Sequence, residues 1–219
     1  MTGAGILKPV TGYEVSVCSG SKGCPHVACS TEVLARELTF LLEQADIKGF
    51  LKTSLGENIK PHQVFRITLS DCPNACSRPQ IADIGIIGAV VPGVGDNACN
   101  GCNVCVQSCP DQAIRLTDTP DRDKTPIIDM DRCQRCGKCI QVCPSRTLEP
   151  VQSGFRILLG GRLGRHPRLA MEMPGLHSHH QSLTTVQTCL RYYKTHSRNG
   201  KRFSHLFTDI DQVISGNPS

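Results

Sequence analysis

The sequence predicts an α+β fold in which both ends of the chain build one domain and a small cysteine-rich segment interrupts it. Three observations lead there. Strand-like and helix-like apolar patterns are mixed along both flanks; four cysteines and a proline recur at a fixed offset in the middle; and 14 of the 219 residues are Cys while none is Trp. Apolar content of 39% with nine aromatics (six Phe, three Tyr) implies modest packing, so ligation helps hold the chain together.

In order along the chain, Glu14 to Cys18 reads as a short strand. Val33, Leu34, Leu38, Leu41, Leu42 and Ala45 follow helical spacing, with Ser30 or Thr31 as N-cap and Gly49 as the stop. Val64 to Leu69 reads as a strand ending at Ser70-Asp71, and Ile81 to Val91 as a buried strand pair or one strand broken at Gly88. Past the middle, Phe155 to Leu159 is a strand running into the loop Gly160-Gly161-Arg162-Leu163-Gly164-Arg165-His166-Pro167. Two amphipathic helices close the chain: Leu183, Val186, Leu190 and Tyr193 stripe the first, and Leu206, Phe207, Ile210, Val213 and Ile214 the second.

Composition excludes several classes. The opening MTGAGILKPV has no apolar core of secretory type, and the most apolar stretch, Ile81 to Val94, carries Asp83 and Pro92 and is too short to cross a bilayer. A cytoplasmic protein without a membrane partner is expected, and a reducing compartment makes seven disulfides a poor use of 14 thiols; metal or cluster ligation is the better one. The formal charge of +5 is scattered and lacks interleaved aromatics, so nucleic acid is not the expected partner.

The middle segment carries the clearest chemistry. Cys99, Cys102, Cys105 and Cys109 recur as Cys133, Cys136, Cys139 and Cys143, each shifted by 34 residues and each unit followed by Pro110 or Pro144. The linker holds one short strand candidate, Pro126 to Met130. The repeat defines a domain at 96–147, flanked by 1–95 and 148–219. Thiolates at i, i+3 and i+6 wrap one face of a cubane cluster, and the short loop cannot supply the fourth. Zinc prefers two pairs of two over runs of four ending in Pro.

The pattern resembles the bacterial two 4Fe-4S ferredoxins, in which the Cys before Pro ligates the other repeat's cluster. That resemblance implies one cluster on Cys99, Cys102, Cys105 and Cys143, and another on Cys133, Cys136, Cys139 and Cys109.

Two further segments pair cysteines: Cys18-x5-Cys24, and Cys72-Pro73-Asn74-Ala75-Cys76-Ser77-Arg78. With GGRLGRHPRLA at 160 to 170, they are similar to the cluster-and-sirohaem signature of the nitrite and sulfite reductase family, from Glu14 onward. The family likeness implies a sirohaem/4Fe-4S reductase domain with the two-cluster ferredoxin-like domain inserted. It implies a third 4Fe-4S cluster on Cys18, Cys24, Cys72 and Cys76, with Cys76 bridging to sirohaem iron. Arg162, Arg165, His166 and Arg168 become partners for sirohaem carboxylates, and Arg78 the favoured anion-binding cation over Lys22, Lys52 and Arg66. The implied activity is six-electron reduction of sulfite, or alternatively nitrite, with electrons from a low-potential donor. A non-catalytic electron-transfer subunit is the other reading.

Family members place a half-domain before the first cluster cysteine; here 17 residues precede Cys18, with Lys8 as their one basic side chain. A partner subunit supplying that half, a reading frame that begins too late, or a relative that only transfers electrons would each account for it. Pro25 suggests a helix start behind Cys24, Cys29 is a competing ligand, Cys189 reads as a structural thiol, and His177, His179 and His180 as an exposed loop. Three clusters at about −2 each would turn the formal +5 into about −1.

Overall fold

A computed structural model describes residues 12–119 and 122–211. In chain order the elements are β1 (Tyr13–Val17), α1 (Glu32–Gln44), α2 (Ile47–Leu55), β2 (Phe65–Ser70), β3 (Ile84–Val94), α3 (Val104–Ser108), β4 (Ile114–Thr119) and β5 (Arg122–Ile128). They continue with α4 (Lys138–Val142), β6 (Leu148–Leu159), β7 (Met171–Glu172), α5 (His179–His196) and α6 (Phe203–Leu206).

Five strands form the main sheet in the order β1-β2-β3-β6-β7, the first three parallel and the last two antiparallel. Alternation decides its faces. Phe65, Ile67, Leu69, Ile84, Ile86, Phe155, Ile157 and Leu159 point to one side and bury Leu34, Leu38 and Leu42 of α1, Leu51 of α2, and Val186, Cys189, Leu190 and Tyr193 of α5. An aromatic knot closes that core, with Phe65 5.3 Å from Tyr193, 5.8 Å from Phe203, and Phe203 stacked on Phe207. On the opposite face Ile87 and Leu158 pack against Ala75 and Ala170, which belong to the two segments that carry the reductase-like motifs.

Several expectations change. The helix at 32–44 forms, but Gly49 does not stop it: Asp46, in a left-handed conformation, accepts from the Gly49 N–H and caps a second helix that contains this glycine. Strand β3 is continuous through Gly88. A Cβ there would lie 2.1 Å from the Cys29 carbonyl, so the glycine admits a neighbouring backbone and does not break the strand. No helix follows Pro25 directly, where the chain turns. The second closing helix is short, ending at Leu206, with Phe207 as its C-cap; Val213 and Ile214 lie outside the described residues. Strand β4, with only Ile114 and Leu116 alternating, and the first seven residues of β6 were not foreseen.

The middle segment is a structural repeat with the same 34-residue offset as its cysteines. Helix α3 maps onto α4, and left-handed residues recur as Gly101/Arg135, Asn103/Gly137 and Gln112/Arg146. Val94 pairs with Leu148 as Ile114 pairs with Ile128, and the Gly95 N–H to Thr147 carbonyl bond repeats as Asp129 to Ala113, both 2.8 Å. The repeat is therefore seated on the ladder of β3 and β6, which runs from Ile84–Leu159 to Val94–Leu148 with one irregularity at Val91/Pro92.

Candidate metal centres

Strand ends place the first quartet. Cys18 follows β1 and Cys72 lies just past β2, so two thiols stand at the carboxyl ends of adjacent parallel strands, the edge at which open α/β sheets bind ligands. The Cys18 N–H donates to the Leu69 carbonyl at 3.0 Å, fixing the alignment. Burial raises the Cys72 thiol pKa, the Asn74 N–H opposes that, and the neighbouring Cys76, Cys18 and Cys24 raise it further. Cys72 thus lies within electrostatic reach of the other three thiols. Cys72 is buried, Cys18 and Cys24 are half-buried, and Cys76 is the exposed member of the set.

The loop from Cys72 to Arg78 is tightly built. Ala75 and Arg78 take left-handed conformations at φ 52° and 62°, the Ala75 N–H donates to the Cys72 carbonyl, and Ser77 Oγ donates to the Leu69 carbonyl at 2.6 Å. Against it lies the 160–170 segment, with the Ala170 N–H donating to the Gln80 carbonyl at 2.8 Å. The two segments read as one functional unit from sequence are thus adjacent on the same sheet face.

Within the repeat, the thiols group across the two units. Cys105 is raised by burial and then, after the opposing Val106 N–H, by Cys143, Cys99 and Cys102. Cys139 is pushed up to about 12 by burial first, and by Cys133, Cys136 and, more weakly, Cys109. Cys109, Cys133, Cys136 and Cys139 also line one small cavity. Both groupings take the Cys before Pro from the opposite unit, as the ferredoxin likeness implies. Cys143 is lowered despite its burial, because backbone N–H groups of Leu148, Thr147 and Ser145 and the Ser145 hydroxyl all favour its thiolate. Amides also reach Sγ from Gly101 to Cys99 (3.5 Å), Arg135 to Cys133 (3.4 Å), Ala113 to Cys109 (3.3 Å) and Asp71 to Cys18 (3.3 Å). Such donors offset the negative charge of a thiolate-bound cluster. Among the described residues no three His, Cys, Asp or Glu side chains stand close enough together to hold a single metal ion.

The quartets are not equivalent in position. A cavity of about 410 Å³ is lined by Cys72 from one side and by Pro110, Gln134, Cys136 and Lys138 from the other. The quartet holding Cys136 is therefore the inner one. The Val90 N–H donates to the Arg135 carbonyl at 2.8 Å and Gln141 Nε2 to the Val27 carbonyl at 3.3 Å, fastening that unit to the sheet and to the loop behind Cys24. In the other quartet Cys102 is exposed.

The basic residues divide. Arg162 donates to the carbonyls of His166 and Ser204, and Arg168 to those of Gly160, Ser204 and Phe207. Burial and the adjacent Arg162 lower the Arg168 pKa. These two guanidinium groups tie the glycine-rich loop to the C-terminal segment. Arg165, His166 and Arg78 are exposed and make no side-chain hydrogen bond or ion pair among the described residues. Cys189 is buried with a raised pKa, as a structural thiol should be; Cys29 is half-buried beside Asp71, and burial and that carboxylate both raise its pKa. The histidine run is not a loop. His179 and His180 open α5, with His179 Nε2 2.9 Å from Glu37, and the His177 backbone pairs with Phe155. Sequence reasoning missed Asp71 and Asp83, whose signal was a carboxylate beside or inside an apolar strand; both are buried.

Comparison with known proteins agrees with this geometry. The chain is 35% identical over 157 residues to a coenzyme F420-dependent sulfite reductase of Methanocaldococcus jannaschii, covering 71% of this chain and 23% of that one. It is 27% identical over 113 residues to one of the subunits of the anaerobic sulfite reductase of Salmonella typhimurium, covering 52% and 28%. The chain thus spans about a quarter of the length of these relatives. In fold it resembles the crystal structure of dissimilatory sulfite reductase I, with a TM-score of 0.55 and 16% identity over 94% of this chain and 54% of that one. No described helix is long and apolar enough to cross a membrane. The family profile of the nitrite and sulphite reductase 4Fe-4S domain matches residues 13–212, and the chain belongs to that family.

Proposed function

We propose that this chain is the cluster-bearing and sirohaem-binding part of a sulfite reductase that carries sulfite to sulfide by six electrons. The observation that carries the reading is the quartet Cys18, Cys24, Cys72 and Cys76 at the strand ends, with Cys76 alone exposed. In this reading Cys76 would hold the haem beside the cluster, Arg165 and His166 would meet its carboxylates, and Arg78 would offer charge to the substrate anion. When bound, sirohaem and the clusters supply the open iron and the one-electron chemistry. The chain's own part is to orient thiolates, to offset their charge with amides, and to keep the inner quartet beside the third across the shared cavity. A low-potential donor would act at the outer, Cys102 side. Sulfite, preferred over nitrite, rests on what the two relatives are named for.

Commitment of Arg162 and Arg168 to carbonyls favours a second reading, a subunit that holds clusters without a haem. Anaerobic reconstitution with iron, sulfide and sirohaem separates the two. Three clusters and a haem give about 13 iron atoms per chain and a chlorin band, whereas about 12 and no chlorin would leave only the electron-transfer reading.

A further inference from the structure

We infer that Asp71 is a positioning residue that sets the redox potential of the Cys18/Cys24/Cys72/Cys76 centre; the inference rests on the proposal that this quartet holds a cluster. Asp71 is 2% exposed and immediately precedes Cys72. It is hydrogen-bonded both to Cys18 and to the loop that follows Cys24. Its N–H donates to Cys18 Sγ at 3.3 Å, and its carbonyl accepts from Ala28 at 2.9 Å and Cys29 at 3.1 Å, behind Cys24.

The carboxylate is the part that a purely structural knot would not need. Oδ1 accepts from the Thr31 N–H at 2.8 Å and from the Thr31 hydroxyl at 2.6 Å. Thr31 is the N-cap of α1, yet its side chain does not cap the helix; it is spent on Asp71. A Cβ on Gly20 would lie 1.8 Å from Oδ2, so the turn after Cys18 is closed over the carboxylate and admits only glycine. Among the described residues no Lys, Arg or His pairs with Asp71. The charge is held by neutral donors and by the positive end of the α1 dipole, and its influence reaches the Cys29 thiol, whose pKa burial and Asp71 both raise. An anion held without a counter-ion beside a thiolate-ligated group opposes the addition of an electron. Asp71 therefore keeps this centre more reducing than its amide donors alone would make it, which suits transfer onward to a substrate that resists reduction.

The test is a potentiometric titration of anaerobically reconstituted full chain, followed by electron paramagnetic resonance, with the two repeat centres as internal references. Asp71→Asn keeps an acceptor for Thr31 and removes the charge. The expected result is an approximately tenfold rise in the reduced-to-oxidised ratio of the third centre at fixed potential, about 59 mV less negative, with the repeat centres unmoved. Thr31→Val keeps the carboxylate and removes a neutralising donor, and shifts the same centre the opposite way. Equal potentials in wild type and both variants, with iron content intact, would overturn the inference. If Asp71→Asn loses the third centre, the sign of the Thr31→Val shift decides. Wild type that never assembles a third centre is a different outcome, since it overturns the proposed function itself.

Discussion

Val90 and Cys136 form a parallel bridge, the Val90 N–H donating to the Arg135 carbonyl at 2.8 Å, and this one contact docks the inner half of the cysteine repeat onto the main sheet. Val90 is left only 7% exposed. The adjacent Gly137 sits at φ +71°, and a Cβ there would lie 2.4 Å from Val90 Cγ1.

Gly137→Ala is accordingly expected to lose the inner centre, about four iron atoms per chain, while leaving the quartet of Cys18, Cys24, Cys72 and Cys76 loaded. Iron analysis after anaerobic reconstitution checks this. Full iron in the variant would show that the loop relaxes around the methyl group.

Arg202 holds Asp83 at 2.8 Å, and Asp83 also accepts from the N–H groups of Ser204 and Arg66. Asp83 is 1% exposed, so Arg202→Ala leaves a buried charge without its partner. Destabilisation of about 3–5 kcal/mol is expected in denaturant unfolding. A loss below about 1 kcal/mol would mean that the amides alone solvate the carboxylate.

Acid should weaken the fold through His177. Burial lowers its pKa below the ordinary 6.5, a hydrogen bond with Pro174 opposing, and Nε2 is buried without a hydrogen-bond partner among the described residues. Between the folded and unfolded values the unfolded chain binds more protons. Stability therefore rises with pH through that window and is lost as pH falls below about 6.5. His177→Gln should flatten the slope of apo-protein melting against pH between about 5 and 7, and an unchanged slope would place the titration elsewhere.

In the core, Leu38 is fully buried between α1 and the sheet, whereas Phe40 is 62% exposed. Leu38→Ala should cost about 2–5 kcal/mol and Phe40→Ser within about 0.5 kcal/mol. Parallel urea titrations compare them; equal losses would mean that Phe40 is covered in solution.

Cys189 lies in the same core with a raised pKa, and Cys189→Ala should change neither iron content nor cluster spectra. A thiol reagent should label it only after unfolding. Loss of iron in this variant would return it to the ligand set.

The sequence by itself determined the cysteine pattern. Spacing of three along a short loop, a 34-residue offset and proline punctuation are local properties, and they foretold the repeat; the cross-unit grouping of Cys109 and Cys143 came only with the resemblance to the two-cluster ferredoxins. Strands β2 and β3 were legible because each carries a buried apolar run, and β1 because Tyr13 and Val15 pack partly buried against the same core. Tertiary structure alone decided which quartet lies nearest Cys72, because the distance between units 34 residues apart is set by the β3–β6 ladder and the Val90 bridge. It also divided the arginines. Arg162 and Arg168 differ from Arg165 not in type but in the carbonyls of Ser204 and Phe207 that the C-terminal segment brings within reach. Asp71 escaped notice for the same reason: a carboxylate is polar in any one-dimensional reading, and only its burial against Thr31 and Gly20 gives it a role.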